Sequence, residues 1–227
     1  MELFHTMGEL VSLVTTLHQN TERDYVSRML DEKVGCMGVA KKYGREFWDG
    51  ERRFGYGGYK FIPGWWRNVA QQLINRYGLN QDSAVLDIGC GKAFLLYELA
   101  CLLPGIRIHG IDISEYAIES APESLQDRLE CRRAQDILPY EENEFDLVIS
   151  LGALHNLRVF ELESALREME RVGQQGYLMV ESYRSNQELF NLQCWALTAE
   201  SFFEIDEWIW LFERFGYSGD YEFIFFE

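Results

Sequence analysis

The stretch Val85-Leu86-Asp87-Ile88-Gly89-Cys90-Gly91-Lys92-Ala93 constrains this chain more than any other. Ala84 to Ile88 is a short apolar run with one acid near its end, the pattern of a buried strand. Gly89 and Gly91 follow at once and admit backbone conformations and close approaches that a side chain obstructs. Ala93, Phe94, Leu95, Leu96, Leu99 and Ala100 then have the spacing of a largely buried helix. A helix opened by such a turn presents free N–H groups and a partial positive charge on which an anionic or polar ligand group can rest.

Downstream, strand and helix patterns alternate, which predicts an α/β fold with a doubly wound, mostly parallel, Rossmann-like sheet flanked by helices. The expected strands are 84–88, 107–113, 129–134, 145–151, 177–183 and 221–226, with helices at 92–102, 159–172 and 205–215. Ser114 is placed to cap a helix through Tyr116, Ala117 and Ile118. Residues 186–200 have mixed character, and Trp195–Phe203 is a candidate for one further strand.

The first 62 residues read as an N-terminal helical cap followed by a lid loop, and 63–227 as the main domain. Leu3, Phe4, Met7, Leu10, Val11, Val14 and Leu17 predict an amphipathic helix from residue 1 to about 18. A second helix is expected after Thr21 and Asp24, and a third through Val39, Ala40 and Tyr43. Residues 45–66 interleave glycines with aromatics, a composition suited to a loop that closes over a ligand and excludes water. Tyr59 and Trp65 are its candidate contacts. A helix along Trp66, Val69, Ala70, Leu73, Ile74 and Tyr77 stops at Gly78.

The 85–93 stretch resembles motif I of the class I S-adenosylmethionine (SAM) dependent methyltransferases, Asp/Glu-x-Gly-x-Gly-x-Gly. Asp87, Gly89 and Gly91 match it, and Ala93 replaces the third glycine. The dinucleotide pattern Gly-x-Gly-x-x-Gly fits less well, because its third glycine falls on Phe94. The resemblance implies a cofactor site of Asp87, Gly89, Cys90 and Gly91 at the turn. It implies Asp112 on the ribose hydroxyls, Ile113 against the adenine, and Asp136 as acceptor from the adenine amino group. Gln135 and Ile137 would flank that group, and Ser150 would lie beside the methionine part. Such enzymes finish with two strands, the last antiparallel. The implied reaction is methyl transfer to a small-molecule acceptor through an N or O nucleophile, with SAM as cofactor and S-adenosylhomocysteine as product. A non-catalytic SAM-binding module and an NAD-linked oxidoreductase are the alternatives.

Positioning, water exclusion and proton acceptance are what the protein contributes to such a reaction. His155, just beyond the fourth strand, is the candidate base, with Tyr59 and Glu181 as further candidate catalytic residues. Each of these has an ordinary structural alternative in packing, capping or ion pairing. A net charge of −16 argues against a nucleic-acid partner. The five scattered cysteines form no Cys-x-x-Cys pair and suit a reducing, cytoplasmic setting, and no ligand set for a metal is evident. No run approaches a membrane span. The N-terminal helix could support a homodimer.

Overall fold

A computed structural model describes residues 7–19 and 23–227. The described helices are α1 (Thr15–Gln19), α2 (Tyr25–Leu30), α3 (Lys33–Ala40), α4 (Arg45–Asp49), α5 (Arg67–Tyr77), α6 (Phe94–Leu102), α7 (Glu115–Glu119), α8 (Val159–Val172), α9 (Asn186–Trp195) and α10 (Ile205–Phe215). The strands are β1 (Ala84–Ile88), β2 (Arg107–Asp112), β3 (Leu129–Cys131), β4 (Leu147–Leu151), β5 (Gly176–Glu181) and β6 (Asp220–Ile224). They form one sheet in the order β3-β2-β1-β4-β5-β6, and every pair is parallel. β1 and β4 are the central pair, buried along almost their whole length because both faces carry helices. One face packs Leu86, Ile88, Val148 and Leu178 against α8 and α10. The other packs Val85, Leu147, Ile149 and Tyr177 against α5 and α6.

The order of strand addition reverses between β1 and β4, since β2 and β3 lie to one side and β5 and β6 to the other. A crevice opens outside the carboxyl ends of strands at such a point. The turns after β1, β2 and β4 therefore converge on one place.

The end of the chain differs from the expectation in two ways. β6 runs parallel to β5, with Tyr177 opposite Asp220 and Glu181 opposite Ile224, because α10 carries the chain across the face of the sheet between them. Trp195–Phe203 is not a strand: α9 ends at Trp195, and the Glu200 and Ser201 amides donate to the His155 carbonyl at 3.1 and 3.0 Å. Those donors are spent on the rim of the crevice rather than on a sheet ladder.

The predicted first helix is also corrected. Its residues 1–6 lie outside the described part, and only Thr15–Gln19 is helical. Around Leu10 the chain is extended along the open edge of β6: Tyr221 N–H donates to Glu9 O and Val11 N–H to Tyr221 O. Strand edges attract such pairing. Glu222, 1% exposed, then receives the amides of Leu13, Val14 and Thr15, the Thr15 hydroxyl and the Tyr177 hydroxyl at 2.6–3.1 Å. A buried carboxylate thus caps α1 and fixes the N-terminal segment to the sheet.

Removing a charged partner from buried donors costs about 3 kcal/mol. Glu222→Ala is expected to lose roughly that much stability in urea denaturation, with limited proteolysis first cutting the segment before α2. A loss under about 1 kcal/mol would show that the segment is held by other contacts.

Candidate active site

At the end of β1 the backbone turns through Gly89 (φ +84°) and Gly91 (φ +55°), both in the left-handed region. A Cβ on Gly89 would lie 2.2 Å from the Ala153 methyl, and one on Gly91 2.8 Å from the Trp48 indole. Both positions therefore need glycine for space as well as for conformation. Ala93 is left-handed too (φ +56°), so the third motif position keeps a glycine-like backbone with an L side chain, at a cost of about 1 kcal/mol. The amides of Gly89 and Cys90 donate to Ile111 O at 2.8 and 3.0 Å, which ties the turn to β2.

Asp112 closes this junction. Its Oδ2 accepts from Gly91 N–H and its Oδ1 from Ser114 N–H, each at 2.8 Å. Burial pushes its pKa up, and the two amides partly offset the rise. Asp87 has less help. It is 4% exposed, and its Oδ1 is buried with no hydrogen-bond partner among the described residues. Burial, with the Asp112 charge beside it, pushes the Asp87 pKa up to about 8.

The aromatic segment lies over the turn. The Trp48 indole N–H donates to Ser114 Oγ at 2.8 Å and to Tyr43 O at 3.1 Å. Its ring stacks on Tyr56 with centroids 5.1 Å apart, and Tyr59 stacks on Phe94 at 5.1 Å. Lys92, inside the motif, reaches both Asp49 carboxylate oxygens at 2.8 and 2.7 Å and Tyr59 O at 2.9 Å, while Tyr116 donates to Asp49 at 2.7 Å. The segment is thus clamped to the glycine turn by an ion pair whose lysine is buried.

Two adjoining cavities open here. One, of about 420 Å³, is walled by Asp112, Ile113, Ala134, Gln135, Leu154, Asn156 and Glu161. The other, of about 400 Å³, is walled by Asp87, Cys90, Gly91, Tyr59, Trp65, His155, Glu181, Trp195 and the arginines Arg23, Arg28 and Arg52. Gly89, Gly152, Leu151, Phe47, Trp48 and Tyr56 border both.

Within the second cavity His155 and Glu181 form a pair. His155 Nε2 lies 3.4 Å from Glu181 Oε2, and the Glu181 amide donates to His155 Nδ1 at 3.4 Å. His155 is 4% exposed. Burial raises the pKa of the Tyr59 hydroxyl and of the Cys90 thiol, so both stay neutral at ordinary pH.

Asp87, Gly89, Cys90, Gly91, Asp112, Ile113, Gln135, Tyr59, His155 and Glu181 all meet at these cavities. Three other residues from the sequence reading do not. Asp136 is exposed, 4.0 Å from the Arg133 guanidinium, and stands outside both walls. Ile137 is 82% exposed. Ser150 is inside the sheet, donating to Ile88 O at 2.7 Å. β3 ends at Cys131, earlier than expected, so residues 132–137 leave the sheet and only the first of them face the crevice. Trp48, Lys92, Asn156 and the three arginines join the site beyond the residues that the sequence motifs single out. Asn156 has a buried Oδ1 in the first cavity without a partner among the described residues, which a sequence pattern does not reveal.

Comparison with known proteins identifies the family. Residues 79–216, more than half of the chain, match the model described as a methyltransferase domain. This chain belongs to the class I SAM-dependent methyltransferase family. It is 31% identical over 135 residues to the mouse mitochondrial arginine-hydroxylase NDUFAF5, covering 59% of this chain and 38% of that protein. It is 33% identical over 90 residues to the malonyl-[acyl-carrier protein] O-methyltransferase of Priestia megaterium, covering 37% and 32%. The YcgJ protein of Bacillus subtilis shares the fold, with a TM-score of 0.52 and 20% identity over 64% of this chain and 66% of that one. The matches thus span about a third of the length of those two sequence relatives. Among the described residues, no helix is long and apolar enough to cross a membrane.

The raised Asp87 pKa has a consequence for stability. Unfolded, this carboxyl ionises in the ordinary aspartate range; folded, it holds its proton up to about pH 8. Between those values the unfolded state has lost a proton that the folded state keeps, so stability falls as pH rises through that window. Asp87→Asn removes the term. Urea denaturation should show the variant gaining on the wild type from pH 5 to pH 8. A difference that does not change with pH would contradict the assignment.

Proposed function

We propose that this chain transfers a methyl group from SAM to a small-molecule acceptor through an N or O nucleophile. The observation that carries the reading is the buried Oδ1 of Asp87, unpartnered among the described residues, beneath a glycine turn that leaves no room for a Cβ. An acceptor atom in that position calls for a donor, and the ammonium of the cofactor's methionine part is a cationic one. Asp112 uses one lone pair on each oxygen for the backbone and keeps another on each for the two ribose hydroxyls. Ile113, Gln135 and Asn156 offer an apolar face and polar edges to a flat base in the first cavity. When bound, SAM supplies a methyl group made electrophilic by the adjoining sulfonium.

The chain's own residues do the rest. Glu181 presents a carboxylate to the second cavity and is the group that takes the proton of a protonated nucleophile. His155 turns Nδ1 to the Glu181 amide and Nε2 to its carboxylate, so it orients Glu181 rather than facing the acceptor itself. Neutral Tyr59 supplies a wall. Trp48 and Tyr56, held down by the Lys92–Asp49 pair, exclude water from the junction of the cavities. A cavity of about 400 Å³ has the size of a small-molecule site.

Calorimetric titration tests this reading: S-adenosylhomocysteine binds and NAD does not. Asp112→Ala, with native circular dichroism, weakens S-adenosylhomocysteine at least about tenfold, since two charge-assisted hydrogen bonds are worth more than 1.4 kcal/mol. Glu181→Gln leaves that affinity in place and slows turnover of any acceptor about 10²-fold or more. Unchanged affinity in Asp112→Ala would remove the ribose assignment, and unchanged turnover in Glu181→Gln would remove the base.

A further inference from the structure

The second cavity holds a charge that the mechanism has not used. Three guanidinium groups surround the indole of Trp195: Arg28 at 4.5 Å from the ring centroid, Arg52 at 4.9 Å and Arg23 at 5.4 Å. They come from separate parts of the N-terminal segment, and all three line the cavity. The hydrogen bonds of Arg28 and Arg52 go to neutral carbonyls. Arg28 donates to Trp195 O and Arg52 O, both at 2.9 Å, and Arg52 donates to Gly55 O at 2.5 Å. Among the described residues, no carboxylate lies within 4.0 Å of either guanidinium. The near acid Asp31 is engaged by Arg53 at 2.8 Å.

This arrangement runs against the composition. In a chain with 37 acids and 21 lysines and arginines, an arginine on the surface finds a carboxylate easily. Arg45, Arg53, Arg76, Arg132, Arg167 and Arg171 all do. Placing like charges together in a partly enclosed space is unfavourable, and burial with the Arg52 charge beside it lowers the Arg28 pKa to about 10. The cost is recovered when an anion enters, because the planar guanidinium fork binds carboxylate and phosphate oxygens in pairs. Trp65, Tyr59 and Phe47 add aromatic faces to the wall, and Glu181 stands in the same cavity.

We propose that the methyl acceptor carries an oxyanion, a carboxylate or a phosphate, that docks on the Arg28 and Arg52 guanidiniums while an apolar body rests on the aromatic wall. The inference rests on the methyltransferase reading and names its substrate class. The anion fixes one end of the acceptor, and Glu181 meets the proton at the other.

The test uses the full chain saturated with S-adenosylhomocysteine and three probes of similar body: benzoate, phenyl phosphate and benzylamine. Binding is read by tryptophan fluorescence and by calorimetry. Benzoate or phenyl phosphate is expected to bind in the millimolar range or better, and the tighter of the two identifies the anionic group. Benzylamine is expected to bind at least tenfold more weakly. Arg28→Gln and Arg52→Gln each weaken the anion at least tenfold, Arg52→Lys retains part of the affinity, and all three melt within a few degrees of the wild type. Affinity for S-adenosylhomocysteine stays within about twofold in every variant. Three results would overturn the proposal: no anion binding, a preference for benzylamine, or loss of S-adenosylhomocysteine affinity in a variant that melts normally. The last would assign the arginines to the cofactor's own carboxylate. Failure of the wild type to bind S-adenosylhomocysteine would instead strike the methyltransferase reading.

Discussion

Two carboxylates, Asp87 and Asp112, are buried side by side at the carboxyl edge of an apolar sheet, and the site is arranged around the cost of holding them there. Asp112 is stabilised by two backbone amides that belong to the turns after β1 and β2. That pair of bonds fixes the distance between the two turns and, through Ser114, the position of Trp48. Asp87 is left without comparable support, and it keeps its proton at neutral pH. A folded protein tolerates such a group where the strain serves binding. Asp112 shapes the junction of the turns, and Asp87 presents a buried acceptor atom to the cavity.

The same device appears at the far edge of the sheet. Glu222 gathers three backbone amides and two hydroxyls, and so attaches the N-terminal segment to β6. The arginines and the aromatic residues that line the second cavity follow on that segment. Lys92 and Asp49 complete the connection from the other side, joining the lid to the glycine turn itself. The N-terminal segment is therefore part of the cavity wall, and the second cavity is built as much from residues before 60 as from the sheet.

The sequence was most informative where local chemistry and tertiary structure agree. β1, α8 and α10 lie where their periodicity and glycine stops place them, because each buries one continuous face. Gly89, Gly91 and Asp112 were legible for the same reason: a strand, a tight turn and an acid at a strand end leave a local signature. The failures share a cause as well. Residues 7–14 have helical spacing, yet their partners are Tyr221 and Glu222, some two hundred positions away. The segment after Trp195 is drawn to the His155 carbonyl, a contact with no local trace. The pattern places Asp136 just after the third strand, but that strand is three residues long and the chain turns outward before Asp136. The clustering of Arg28, Arg52 and Trp195 depends on how α2, the lid and α9 pack, so no spacing in the sequence could show it.

The most direct measurement is calorimetric titration with S-adenosylhomocysteine at pH 6.5 in two buffers of different ionisation enthalpy. At that pH the Asp87 carboxyl, with its pKa near 8, is protonated before the ligand arrives. A ligand ammonium placed against it favours the ionised form, so the proton leaves for the buffer. The expected result is one ligand per chain and the release of close to one proton, with Asp87→Asn releasing none. Absence of binding, or binding with no proton released by the wild type, would contradict it.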